Sequence, residues 1–111
     1  MTLADTSVWV YHFRHGSARL RNLLEAGEVA THTMVIGELA CGRLHQRAGT
    51  LALLDNLPRV PVAPDGVVME IIERQRLWSR GVGWVDLHLL MAARISGAGL
   101  WTLDRRLAQL V

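Results

Sequence analysis

Four acidic residues stand out by their flanks: Asp5, Glu38, Asp86 and Asp104. Asp5 follows the short apolar run Met1–Ala4, Asp86 opens a strongly apolar stretch, and Asp104 comes two residues after Thr102. Glu38 has Met34, Val35, Cys41 and Gly42 as its neighbours at helical spacing, a poor setting for a solvated face. Carboxylates collected at one place repel unless cations neutralise them. Hard oxygen donors in that number suit Mg²⁺ or Mn²⁺, and two such ions can clamp the attacking and leaving oxygens of an in-line phosphodiester cleavage. The reaction would be a hydrolysis with an activated water as nucleophile, and it would need no histidine base. Taken singly, each acid has a plainer reading. Asp5, Asp86 and Asp104 can each be a helix cap, and Glu38 an ion-paired helix residue. Only convergence gives them a joint role.

Charge composition narrows the chemistry. All twelve basic residues are arginine. Walker-type phosphate loops, receiver domains and haloacid-dehalogenase-type phosphatases place a lysine beside the phosphoryl group, so those classes are excluded. A net charge of +2 is compatible with nucleic acid, since arginine forks match phosphate oxygens, but equally with an ordinary basic surface. The single cysteine, Cys41, cannot form an internal disulfide or a thiolate metal cage, which suits a reducing compartment. With no apolar run long enough to span a bilayer and no signal-peptide pattern at the start, the chain is expected to be cytoplasmic, without a membrane partner.

The elements that must position the acids follow from periodicity. A strand should stop at Asp5, with a helix directly after it. Ser17 should cap a second helix carrying Leu20, Leu23 and Leu24, ended by Gly27. Val29–Thr31 reads as a strand, 33–46 and 49–57 as helices, and 59–63 as a short extended edge segment between prolines. A helix is expected over 65–80, a buried apolar helix over 86–96, a strand over 100–102 and a last helix from Asp104. Such alternation predicts one domain over 1–111, an α/β fold with a short-stranded, mainly parallel sheet between two helical layers. In open parallel sheets, functional groups collect beyond the carboxyl ends of the strands, where the topology would bring all four acids.

The segments "LADTSVWV", "THTMVIGELACGRL" and "GWVDLHLLMAARISGAGLWTLDRRL", in that order, resemble the PIN-domain ribonucleases, specifically the toxin subunits of VapBC-type toxin–antitoxin pairs. The match spans almost the whole chain. The resemblance implies a three-layer α/β/α fold and metal-dependent endoribonuclease activity, with Asp5, Glu38, Asp86 and Asp104 as Mg²⁺ or Mn²⁺ ligands. Thr6 and Thr102 fall where such proteins often carry a hydroxyl, in a position to orient a ligand or a water. It further implies an RNA substrate, a cognate antitoxin whose tail lies across the active site, and a homodimer. Relatives continue past the helix of the "TLD" acid into a final strand, whereas this sequence stops at Val111, so the expectation is either a sheet that lacks that edge strand or a shortened protein.

Other residues are given structural roles. The five histidines show no zinc-type spacing, and helical geometry points His88 away from Asp86. Cys41 is expected to be a small packing residue, and Trp9, Trp78 and Trp101 to lie in the core or an interface. Trp84, in a glycine-flanked loop beside Asp86, is the expected exposed contact. Arg14, Arg43, Arg47, Arg80, Arg105 and Arg106 suit RNA steering or a solvated face alike. Two rival functions remain: a catalytically silent interaction module whose acids bind a partner's arginines, and a DNA nuclease.

Overall fold

Three short strands carry the architecture. In the computed structural model, which describes residues 1–111, β1 (Thr2–Ala4) lies between β2 (Val29–Ala30) and β3 (Gly99–Trp101), all parallel, in the order β2-β1-β3. Thr2 stands opposite Val29 on one side and Gly99 on the other, and Ala4 opposite Trp101. Parallel neighbours require crossovers, and helices supply them. α1 (Thr6–His15) and α2 (Ala18–Glu25) connect β1 to β2. Next come α3 (Thr33–Cys41), α4 (Arg47–Asp55), α5 (Asp65–Gln75) and α6 (Trp84–Ser96), which lead to β3, and α7 (Arg105–Ala108) follows it.

Successive strand residues point to opposite faces. Leu3 and Ala4 are both 0% exposed, so helices cover the sheet on both sides and the molecule is the expected α/β/α sandwich. Its core is one cluster of 21 buried apolar residues, to which α6 contributes Leu87, Leu89, Leu90, Ala92 and Ala93. Helix starts follow local chemistry. Ser17 Oγ accepts the Leu20 N–H at 3.1 Å at the head of α2. At the head of α3 the cap is a histidine, with His32 Nδ1 accepting the Met34 N–H at 2.9 Å.

Several boundaries differ from expectation, each for a visible reason. α3 stops at Cys41 rather than 46, because Gly42 is extended and the Arg47 guanidinium takes the last carbonyls, Ala40 O at 2.7 Å and Gly42 O at 3.3 Å. Cys41 consequently sits exposed at a helix end instead of packing. No strand forms over 59–63. Only an isolated bridge joins Thr31 to Arg59, and Pro61 has no N–H to extend it. α5 ends at Gln75: Arg76 turns left-handed (φ 53°), and the Leu77 N–H closes onto Ile72 O at 2.9 Å. That closure sends Leu77 inward and leaves Trp78 52% exposed, so Trp78 is not a core residue. α6 begins at Trp84, two residues before Asp86. No helix is long and apolar enough to cross a membrane.

Candidate functional site

Asp5 and Asp104 leave the carboxyl ends of neighbouring parallel strands, β1 and β3. Both are helix caps. Asp5 Oδ1 accepts the Val8 N–H at 3.2 Å, and Asp104 Oδ1 accepts those of Arg106 at 2.8 Å and Leu107 at 3.1 Å. Capping uses one oxygen of each carboxylate, and Oδ2 of each has no hydrogen-bond partner. A cap and a ligand are therefore compatible in the same side chain. Asp5 is only 4% exposed, which is costly for a carboxylate without a compensating charge.

Ser7 joins the two strand ends. Its hydroxyl donates to Asp5 Oδ1 at 2.5 Å and accepts the Leu103 N–H at 3.0 Å. The Thr102 hydroxyl lies 3.5 Å away, and since the Ser7 proton is committed to Asp5, Thr102 is the donor of that pair. Thr102 Oγ1 in turn accepts the Asp104 N–H at 3.0 Å. A single chain of hydroxyls thus runs from Asp5 to the backbone of Asp104.

Glu38 and Asp86 come from the helices. Glu38, on α3, is exposed, contrary to its apolar sequence neighbours, and Glu38 Oε1 accepts from the Thr6 hydroxyl at 2.6 Å. Asp86 occupies the third position of α6, where its Oδ2 reaches back to the Gly83 N–H at 3.5 Å. Burial pushes the Asp86 carboxyl above the usual aspartate range; the Gly83 N–H opposes this, and the charges of Asp104, Asp5 and Glu38 push it further up. All three other acids thus lie within electrostatic reach of Asp86. They do not form a closed cage, since no three His, Cys, Asp or Glu side chains are spaced to hold one ion. The donor set is all hard oxygen, with free oxygens on Asp5 and Asp104 and mutual repulsion felt at Asp86; in chemistry it fits Mg²⁺ or Mn²⁺.

Beside Glu38 a cleft of about 160 Å³ opens between α1 and α3, with Thr6 and Glu38 at its head and Phe13, Arg14, Leu39 and Arg43 along its walls. Sequence reasoning missed Ser7, because its partners Thr102 and Leu103 are 95 and 96 residues away. It also missed the pair of buried His88 with exposed Asp65, Nε2 to Oδ1 at 3.0 Å. His88 turns from Asp86 as helical geometry requires, and its ring meets Trp84 edge-on at 4.6 Å.

A family model described as PIN domain matches residues 2–111. The chain belongs to the PIN-domain family. Two curated PIN-domain relatives carry the name Ribonuclease VapC32, from Mycobacterium tuberculosis strains CDC 1551 / Oshkosh and ATCC 25618 / H37Rv. Each is 48% identical over 108 residues, covering 96% of this chain and 87% of the relative. Among solved structures, PAE2754 from Pyrobaculum aerophilum superposes with a TM-score of 0.67 at 21% identity, over 96% of this chain and 81% of that one. That likeness bears on the PIN fold alone.

Proposed function

We propose that this PIN-domain protein is a metal-dependent endoribonuclease that serves as the toxin of a type II toxin–antitoxin pair. The observation that carries the reading is the placement of Asp5 and Asp104 at the carboxyl ends of adjacent parallel strands, each with one carboxylate oxygen free, beside Asp86, whose pKa is raised by burial first and then by the charges of Asp104, Asp5 and Glu38. Support also comes from its 48% identity to proteins named Ribonuclease VapC32. Asp5, Glu38, Asp86 and Asp104 would hold Mg²⁺ or Mn²⁺. Such an ion supplies positive charge to the scissile phosphate and eases ionisation of a water.

The chain's own groups do the positioning. Thr6 fixes the Glu38 carboxylate through its hydroxyl, and Ser7 and Thr102 hold the Asp5 and Asp104 segments at a set separation. With no lysine available, arginines must carry the phosphate contacts outside the acids. The cleft between α1 and α3 offers an antitoxin tail an apolar wall at Phe13 and Leu39 beside Glu38, whose charge suits an arginine of that tail. Homodimerisation and a cytoplasmic site of action belong to the same proposal.

One observation favours the rival reading, a silent module that binds a partner's arginines: no three acids stand at ligand spacing. Cleavage of single-stranded RNA by purified protein, with Mg²⁺ or Mn²⁺ and then with excess chelator, decides between them. The ribonuclease reading expects cutting that chelator stops and that Asp5→Asn abolishes with the circular dichroism spectrum unchanged. Cutting that survives Asp5→Asn would sink it, as would preference for DNA over RNA.

A further inference from the structure

Between α5 and α6 the chain crosses an arginine-rich loop, residues 76–83, that holds three left-handed residues, Arg76 (φ 53°), Ser79 (φ 58°) and Gly81 (φ 74°). Two tryptophans, Trp78 within it and Trp84 directly after it, keep their side chains outside the core, at 52% and 40% exposure. Trp84 has a firm base. Its ring meets His88 edge-on, and His88 is itself fully buried and hydrogen-bonded to Asp65.

The arginines in and against this loop stand outside any ion pair, and the loop adjoins the carboxylates of Asp86 and Asp104. Arg76, Arg80 and Arg106 are exposed, and none of them is in an ion pair; the ion pairs of the molecule join Arg59 to Asp55, Arg74 to Glu70 and His88 to Asp65. Arg106 lies across the loop so closely that a Cβ at Gly81 would stand 2.5 Å from its Cδ. The C-terminal end of the loop is thereby held beside the acids. Its Gly83 N–H reaches the Asp86 carboxylate, and Arg106 donates its backbone N–H to Asp104.

We infer that this loop is a platform for single-stranded RNA, with Trp84 and Trp78 stacking bases and Arg80 and Arg106 holding phosphates of the strand that the acids cut. The inference rests on the ribonuclease reading and extends it to the substrate side. Exposed indoles stack on any base, and unpaired guanidinium groups track the backbone, so the pair of features suits unstacked strands rather than duplexes. Arginines outside any ion pair leave positive charge free for the phosphates of a strand that runs past the acids.

The test uses the Asp5→Asn protein, so that substrate survives, and a fluorescein-labelled single-stranded oligoribonucleotide of mixed sequence, with binding followed by anisotropy over a range of salt. Trp84→Ala should weaken binding about 5- to 150-fold, and Trp84→Phe should restore most of the loss. Trp78→Ala, at a largely exposed site that folding does not depend on, should also weaken it. Arg80→Gln should reduce the slope of log K against log salt by about 0.7, the value of one phosphate contact on a single strand. Unchanged affinity in both tryptophan variants overturns the platform and leaves the ribonuclease reading intact, provided the Asp5-containing protein still cuts. If that protein neither binds nor cuts RNA, the ribonuclease reading falls and takes the platform with it. A change from dimer to monomer in light scattering on Trp84→Ala, with RNA affinity kept, assigns the surface to a second copy of the chain and also overturns it.

Discussion

Asp5 and Asp104 hang from strand ends and are tied down by backbone N–H groups and by the Ser7–Thr102 hydroxyl chain, whereas Glu38 and Asp86 project from helices with one contact each. The strand side of the site is rigid because its hydrogen bonds also start two helices, α1 and α7. Nothing comparable holds the helix side. Asp86 makes only a long contact to Gly83, and Glu38 lies in solvent but for Thr6. One half of the site is thus set by folding and the other is left adjustable, and on that adjustable side burial, with the charges of Asp104, Asp5 and Glu38 added to it, raises the Asp86 pKa.

The largest expected effect separates activity from stability on the adjustable side. Asp86→Asn should lower RNA cleavage by more than the roughly 100-fold that follows loss of a supporting group, yet raise the melting temperature of metal-free protein. The sign follows from linkage. Because the folded state raises the Asp86 pKa, ionisation costs stability at neutral pH; that cost disappears as pH falls below about 3.8, where folded and unfolded chains are both protonated. Thermal melts of both proteins at pH 7 and at acid pH check it. A lower melting temperature for Asp86→Asn at pH 7 would contradict the raised pKa that burial and the neighbouring charges give Asp86.

On the rigid side, Ser7→Ala should cost both properties together. Cleavage should fall about 10- to 100-fold through misplaced acids, and stability by about 1 kcal/mol through the lost hydroxyl bonds, as urea unfolding would show. Divalent cations should stabilise the native protein by about 2.7 kcal/mol at a hundred times its dissociation constant, with a smaller gain in Asp86→Asn at that same concentration. Differential scanning fluorimetry against Mn²⁺ concentration reads this directly; equal gains in both proteins would mean that the ion binds elsewhere.

The smallest effect lies behind the helix side, at the head of α3. His32 is fully buried; desolvation lowers its pKa, and the nearby His88 charge lowers it further. A depressed folded pKa gives stability that is present above the unfolded value of about 6.5 and lost as pH falls through the folded value. Stability should therefore decline as pH drops from 7 to below 6. His32→Asn, which keeps a capping oxygen, should flatten that part of the profile in urea melts.

Much of this molecule was legible along the chain. Asp5 and Asp104 could be placed at strand ends because a short apolar run followed by an acid and a helical pattern is a local signal, complete within a few residues. Parallel topology followed from the alternation of elements, and the PIN resemblance from four acids with distinct flanks in order. Helix ends were less legible. α3 stops early because Arg47, outside it, captures its carbonyls, and α5 stops early because Leu77 turns into the core and pushes Trp78 out.

The polypeptide by itself determined which groups the protein can use: carboxylates without lysine, arginines as its only strong cations, and hydroxyls placed just after the first strand and just before the last acid. Folding alone decided how they meet. Ser7 reaches Thr102, and Asp86 feels Asp5, Glu38 and Asp104, only because parallel pairing sets β1 beside β3 and the helices close over both faces of the sheet. Hydrogen bonds and charge interactions act over a few ångströms of space, and sequence separation carries no record of that distance until the chain has packed.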